Sequence, residues 1–205
     1  EPAVRRGLTV SRRLLDPYRR AQDGFDAVLR AVPADRWDMP SACELWTVRD
    51  IAGHVVWGQE QLAHWAMGQD YDCTDGAPGA PRPAAMAGTD PLSTWRTARA
   101  GADGGLTDQA LRRTVTLPGL GETPLSGIIT LLVTDLLAHS WDIGHAVGLD
   151  VRFDADLVSG SFAWARDNVI RVPGFFGPEL TPPAHADEQT RWLAYLGRAA
   201  WAPAA

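Results

Sequence analysis

With 205 residues, 45% of them hydrophobic and 21% charged, the chain is long enough to bury a core without disulfides or internal repeats. A formal net charge of −6 and a pI near 5.3 exclude the basic footprint of a nucleic-acid binder. No run of about 18 or more apolar residues is present, so no membrane-spanning helix is expected.

Residues 1–15 read as an N-terminal extension without the hydrophobic core of a signal peptide, and 16–205 as one helical-bundle domain. Asp16 followed by Pro17 is the pattern of an N-cap with proline at the first helical position, after which Phe25, Val28, Leu29 and Val32 line one face up to Pro33. Cys43 and Cys73 lie in unlike contexts without a C-x-x-C spacing, which predicts neither a disulfide framework nor a zinc ribbon and fits a reducing cytoplasm. Cys43 is expected to be a small buried hydrophobe. Thr47 and Asp50 form a capping-box variant that opens a second helix to about Met67, presenting Ile51, His54, Val55, Gly58 and Leu62 inward. Trp57, one turn after His54, is a candidate pocket wall together with Gly58 and Gln61.

Residues 71 to 91, rich in Gly, Pro and Ala, read as a long surface loop able to cover a site. Asp90-Pro91 restarts a helix to about Ala102. Thr114-Val-Thr-Leu-Pro, with Gly119 and Gly121 marking a turn, predicts a short hairpin. Pro124 then opens a long helix to Val147, closed by Gly148 as a C-cap. Further helices are expected near Asp156 to Ile170 and Asp187 to Ala200, packed outside the bundle. Trp65, Trp95, Trp164, Trp192 and Trp201 are assigned to core or interhelix packing. The fold class is therefore mainly all-α: a four-helix bundle with a short β-hairpin and additional C-terminal helices.

The long helix carries the most informative pattern. Asp135, His139 and Asp142, four and three residues apart, fall on one stripe among Ile128, Ile129, Leu132, Val133, Leu136, Leu137 and Ile143. A polar stripe at core depth needs a partner. Spacing alone leaves two readings open: hydrogen-bonded core histidines, or ligands of a divalent metal, whose charge offsets the burial of a carboxylate. His54 is the other histidine within an apolar helical pattern. His54, Asp135 and His139 would form a three-ligand set from two helices with a coordination position left for water or substrate. Asp142, one turn beyond His139, suits a supporting role, fixing an imidazole tautomer or a backbone N–H. Trp141 belongs to packing or to the substrate pocket, and His145 lies off the stripe.

The stretch Thr134-Asp-Leu-Leu-Ala-His-Ser-Trp-Asp-Ile-Gly-His-Ala-Val-Gly resembles the D-L-L-x-H-x-W-D signature of the DinB-like metal-binding proteins, in the branch that includes mycothiol-dependent maleylpyruvate isomerase. Arg36-Trp-Asp-Met-Pro-Ser-Ala-Cys-Glu-Leu-Trp-Thr-Val-Arg-Asp-Ile-Ala-Gly-His-Val is similar to a second segment of that family, and Phe176-Gly-Pro to Leu196-Gly-Arg resembles its C-terminal run. The likeness spans about residues 17 to 198. It implies a DinB-like bundle, metal ligands at His54, Asp135 and His139, and a divalent ion, zinc first, with Ni, Mn, Fe or Co as alternatives. His145 stands where the family carries small or aliphatic residues and is expected to be a solvated or pocket-rim residue rather than a fourth ligand.

The resemblance also implies a reaction class, in which a low-molecular-weight thiol such as mycothiol is ionised at the metal and attacks a small electrophile, giving S-transfer or isomerisation. All 19 basic residues are Arg, as expected of a GC-rich, actinobacterial coding sequence. Two other readings stay open: a metal-assisted tailoring or hydrolytic enzyme of specialised metabolism that uses no thiol, and a non-catalytic small-molecule binding or resistance protein. The expected partner is a small-molecule substrate, with no nucleic acid and no membrane, in a cytoplasmic monomer or homodimer.

Overall fold

The computed structural model describes residues 2–117, 121–172 and 174–202, with side chains from residue 12 onward. Seven helices, one 3-10 turn and a two-stranded sheet are present among the described residues. Helices α1 (Pro2–Ala31), α2 (Val48–Met67), α4 (Pro91–Gly105) and α5 (Leu125–Val147) pack as a four-helix bundle, in which α2 contacts α4 and α5 while α1 contacts α5 and α4. The short α3 (Ala84–Ala87) lies against α2, and α6 (Ala155–Asn168) and α7 (Glu188–Tyr195) pack outward from α5 in succession. No described helix is long and apolar enough to cross a membrane.

Helix α1 corrects the sequence reading of its start. It begins at Pro2, and Pro17 sits in its interior instead of opening it. Leu15, Tyr18, Phe25 and Leu29 are all buried and follow one another along a single stripe. Proline at 17 forfeits one intrahelical hydrogen bond, while the apolar stripe runs through it into the core.

Helix α2 starts where its cap dictates. Thr47 accepts from the Asp50 N–H and the Asp50 carboxylate accepts from the Thr47 N–H, a complete capping box that satisfies two otherwise orphaned donors. Asp50 also accepts from the Ala84 N–H at 2.9 Å, so the same carboxylate ties the following loop to the helix start. Small residues let the next helix approach: a Cβ on Gly105 would stand 2.9 Å from Ala66 Cβ.

Asp90 caps α4 with Pro91 at its first position. Strands β1 (Thr114–Leu117) and β2 (Gly121–Pro124) pair antiparallel, Thr114 opposite Pro124 and Leu117 opposite Gly121. Gly119, expected in the connecting turn, lies outside the described residues. Helix α5 runs between caps at Pro124 and a left-handed Gly148, and most of its length is buried, with Thr134, His139, Ser140 and Asp142 its buried polar side chains.

Two expectations at the C-terminus are corrected. Helix α7 ends at Tyr195, not near Ala200, because Gly197 adopts φ +86°, and the chain turns so that Arg198 enters the bundle. Trp201 is 43% exposed and is not a core residue; Trp95 and Trp192 are fully buried.

Asp50→Ala removes three accepted hydrogen bonds from the α2 cap and the loop beyond it. The expected cost is about 2 kcal/mol, or a Tm lowered by roughly 4–8 °C for a chain of this size. Thermal unfolding followed by circular dichroism measures it; a change under 1 °C would show that the cap contributes nothing.

Candidate metal centre

Asp135, His139 and Asp142 occupy successive turns of the inward face of α5, and α2 brings His54 opposite them. Asp135 Oδ1 lies 3.4 Å from His139 Nε2 and 3.6 Å from His54 Nε2, and one ligand atom from each of the three residues falls within 4.8 Å of the others. The two imidazole rings meet edge-on, their centroids 5.0 Å apart. Three donors from two helices thus converge on one point.

The outer nitrogen of each ring is held in a way that fixes the inner one. His54 Nδ1 is 2.6 Å from the carbonyl oxygen of Gly76, and a carbonyl only accepts, so Nδ1 carries the proton. His139 Nδ1 is 3.0 Å from Asp142 Oδ2, again an acceptor. Both rings therefore turn Nε2 toward Asp135, the support that metal-ligating histidines characteristically have.

Asp142 is fully buried and satisfies more than His139. Arg198 donates Nε to Oδ1 at 2.9 Å and Nη2 to Oδ2 at 2.7 Å, a bidentate pair, and Cys43 donates its thiol to Oδ2 at 3.1 Å. Cys43, His139 and Asp142 form a second donor cluster, but Arg198 lies 3.8 Å from the sulfur. A fixed guanidinium at that point takes the place a cation would need.

These contacts reverse what burial would do. Burial pushes Asp135 up, but the neighbouring His139 and His54 outweigh it and hold the carboxyl well below its ordinary 3.8. Burial pulls His139 down, yet Asp135 and Asp142 raise it well above 6.5. Asp142 likewise overcomes burial through Arg198 and His139 and stays ionised far into acid. Cys43 is pushed up, by burial first and then by the charge of Asp142, so it remains a thiol.

Aromatic walls surround the cluster. Trp46 tilts over His54 at 4.9 Å between centroids and lies 6.4 Å from His139, while Trp57 stacks parallel to His54 at 6.0 Å. The Asp135 side chain is 21% exposed against 9% for each histidine, so the cluster opens on the Asp135 side. Trp141 is buried and stacks on His145 at 4.5 Å, directed into packing. Gly58 is half-buried opposite Leu132, and Gln61 is half-buried one turn beyond Trp57.

Residues 18–144 match the profile of the mycothiol maleylpyruvate isomerase N-terminal domain. This chain belongs to that family. An uncharacterized protein of Mycobacterium tuberculosis, present in two strains, is 34% identical over 193 residues, spanning 90% of this chain and 98% of its own length. The fold is similar to the crystal structure of mycothiol-dependent maleylpyruvate isomerase, with TM-score 0.57 and 19% identity over 75% of this chain and 68% of that one. A histidine-to-alanine mutant of that isomerase gives 0.58 and 17%, over 75% and 67%. The family match takes in every residue of the cluster except Arg198.

The sequence reading did not assign Arg198, Trp46 or Gly76 to the site, and it read Cys43 as an apolar filler. The structure puts Cys43 within hydrogen-bond distance of Asp142. Arg198 carried a signal in the Leu196-Gly-Arg run, but nothing local indicates that this arginine turns inward.

Asp142→Asn leaves the Arg198 guanidinium buried without its counter-charge, which costs about 3–5 kcal/mol at neutral pH. The sign with pH follows from the shifts. The Asp142 and Asp135 contributions are complete above the unfolded value of 3.8 and are lost as pH falls through their depressed folded values. The His139 contribution runs the other way, complete below 6.5 and lost as pH rises through its raised value. Urea unfolding of chelator-treated protein should therefore show the gap between wild type and Asp142→Asn wide at pH 7 and narrowing toward pH 2. A pH-independent gap would refute the charge-pair explanation.

Proposed function

We propose that the protein is a divalent-metal-dependent enzyme that activates a low-molecular-weight thiol, mycothiol, for attack on a small electrophile, with S-transfer or isomerisation as the outcome. The observation that supports this most is the convergence of His54 Nε2, His139 Nε2 and Asp135 Oδ1, with both outer ring nitrogens already committed to acceptors. A carboxylate facing the Nε2 atoms of two imidazoles is a donor set suited to zinc, and it provides three protein ligands rather than four, the pattern of catalytic zinc. When bound there, such an ion lowers the pKa of a thiol so that the thiolate is available at neutral pH.

The chain's own residues supply orientation and enclosure. Asp142 holds His139 by Nδ1, and Arg198 keeps Asp142 charged and immobile. The indoles of Trp46 and Trp57 bracket His54 and limit water on that side. Access is through the exposed edge of Asp135, and Trp57, Gly58 and Gln61, on the adjacent turn of α2, are assigned to the pocket wall. The family assignment supports thiol chemistry over a site that uses water alone.

Purified protein is expected to carry about one divalent ion per chain, and His54→Ala, Asp135→Ala or His139→Ala should each lose most of it. Ligation needs neutral His139, and its carboxylate neighbours favour the protonated ring, so calorimetry in buffers of different ionisation enthalpy should show proton release on zinc binding near pH 7, and affinity should fall as pH falls. Adding mycothiol to the cobalt-substituted protein should produce a sulfur-to-metal charge-transfer band. Stoichiometric metal in the double His54→Ala/His139→Ala variant would falsify the ligand assignment. Turnover without any thiol, together with no band at saturating mycothiol, would transfer the assignment to a metal-assisted tailoring or hydrolytic enzyme.

A further inference from the structure

Trp46, Asp50, Gly53, His54 and Trp57 follow one another along a single stripe of α2 and the turn before it. All five meet the same stretch of chain. Trp57 Nε1 donates to the Cys73 carbonyl at 2.7 Å, His54 Nδ1 to the Gly76 carbonyl at 2.6 Å, and Trp46 Nε1 to the Ala80 carbonyl at 2.9 Å. The Asp50 carboxylate accepts from the Ala84 N–H. At Gly53 a Cβ would lie 1.8 Å from the Pro83 carbonyl oxygen, so the backbone of this stretch passes directly over the bare helix.

Gly76 is the tightest point. A Cβ there would stand 2.2 Å from Trp57 Cβ, an atom fixed to the helix backbone that cannot swing aside, and 2.6 Å from Cγ. Only glycine lets this carbonyl come within hydrogen-bond distance of His54. The far side of the stretch is also backed: a Cβ on Gly174 would lie 3.0 Å from Gly79 Cα, so the segment has little room to retreat.

We propose that the Cys73–Ala84 strap is the positioning element of the centre and that Gly76 is a positioning residue, its carbonyl fixing the tautomer and ring plane of His54. The proposal rests on reading His54 as a metal ligand. The strap is a fixed wall, held by side-chain donors that point out of α2, and the two indoles that line the site take their orientation from it. The carbonyl of Gly76 does for His54 what the carboxylate of Asp142 does for His139.

The test uses the full chain and zinc or cobalt as the probe. Gly76→Ala is expected to weaken the metal Kd by about 10–100-fold and to shift the d–d bands of the cobalt form. Nitrogen-15 NMR of the metal-free protein should show His54 as the Nδ1–H tautomer in wild type and as a mixture in the variant. If Gly76→Ala does not fold, Trp46→Phe/Trp57→Phe keeps both rings, removes two strap anchors, and should weaken the Kd roughly tenfold. An unchanged Kd with an unchanged His54 tautomer overturns the positioning role and leaves the metal reading standing. A wild type that binds no metal overturns the metal reading, and the tautomer comparison then decides the positioning role alone.

Discussion

A carboxylate placed inside an apolar helix is the constraint on which the rest of this structure depends. Asp135 emerges from a stretch of α5 whose neighbours are almost all buried hydrocarbon, where an isolated charge would be forced to neutralise. It stays ionised because two imidazoles face it within 3.6 Å. That requirement fixes the approach of α2 to α5, since His54 must arrive on one side and His139 stands on the other. The bundle geometry and the centre are therefore one problem with one solution.

The same logic extends outward by one layer. An imidazole that turns Nε2 toward a shared centre needs an acceptor behind Nδ1, and the two rings obtain it by different means. His139 uses the fully buried carboxylate of Asp142, and burying that second charge demands a third group, the Arg198 guanidinium from the chain end. His54 uses a backbone carbonyl, which carries no charge and needs no further partner, but must be delivered by a loop that comes very close. A charged acceptor recruits the C-terminal segment; a neutral one requires Gly53 and Gly76.

This division explains what was legible in the sequence. Helix α5 could be read with its boundaries, because Pro124, Gly148 and the apolar run are local signals, and the Asp135/His139/Asp142 stripe follows from helical periodicity. The Thr47–Asp50 box marked the start of α2 for the same reason. Helix α1 misled, because Asp16-Pro17 has the local form of a helix start while tertiary burial of Leu15 and Tyr18 carries the helix through it. The roles of Arg198, Trp46 and Gly76 depend on contacts across 22 to 56 positions of sequence, and nothing in their own neighbourhoods encodes them. Cys43 belongs to the same class: its thiol reaches Asp142 only because the turn before α2 folds back on α5.

The layering also separates what can vary from what cannot. The centre is closed on the strap, α5 and C-terminal sides, where Gly76, Asp142 and Arg198 are each tied to a partner. The open side is formed by the exposed edge of Asp135 and by the half-buried Gly58 and Gln61 of α2, next to Trp57, whose indole is tied to the strap. A Cβ on Gly58 would meet Leu132 Cδ2 at 3.9 Å, an ordinary contact, so this position can accept a larger side chain. Changes at Gly58 or Gln61 touch neither the strap nor the groups behind the two imidazoles, whereas a change at Trp57, Asp142, Arg198 or Gly76 acts on those supports. Divergence of substrate within such a fold is accordingly expected at the α2 mouth, with the cage behind it held by its own electrostatics.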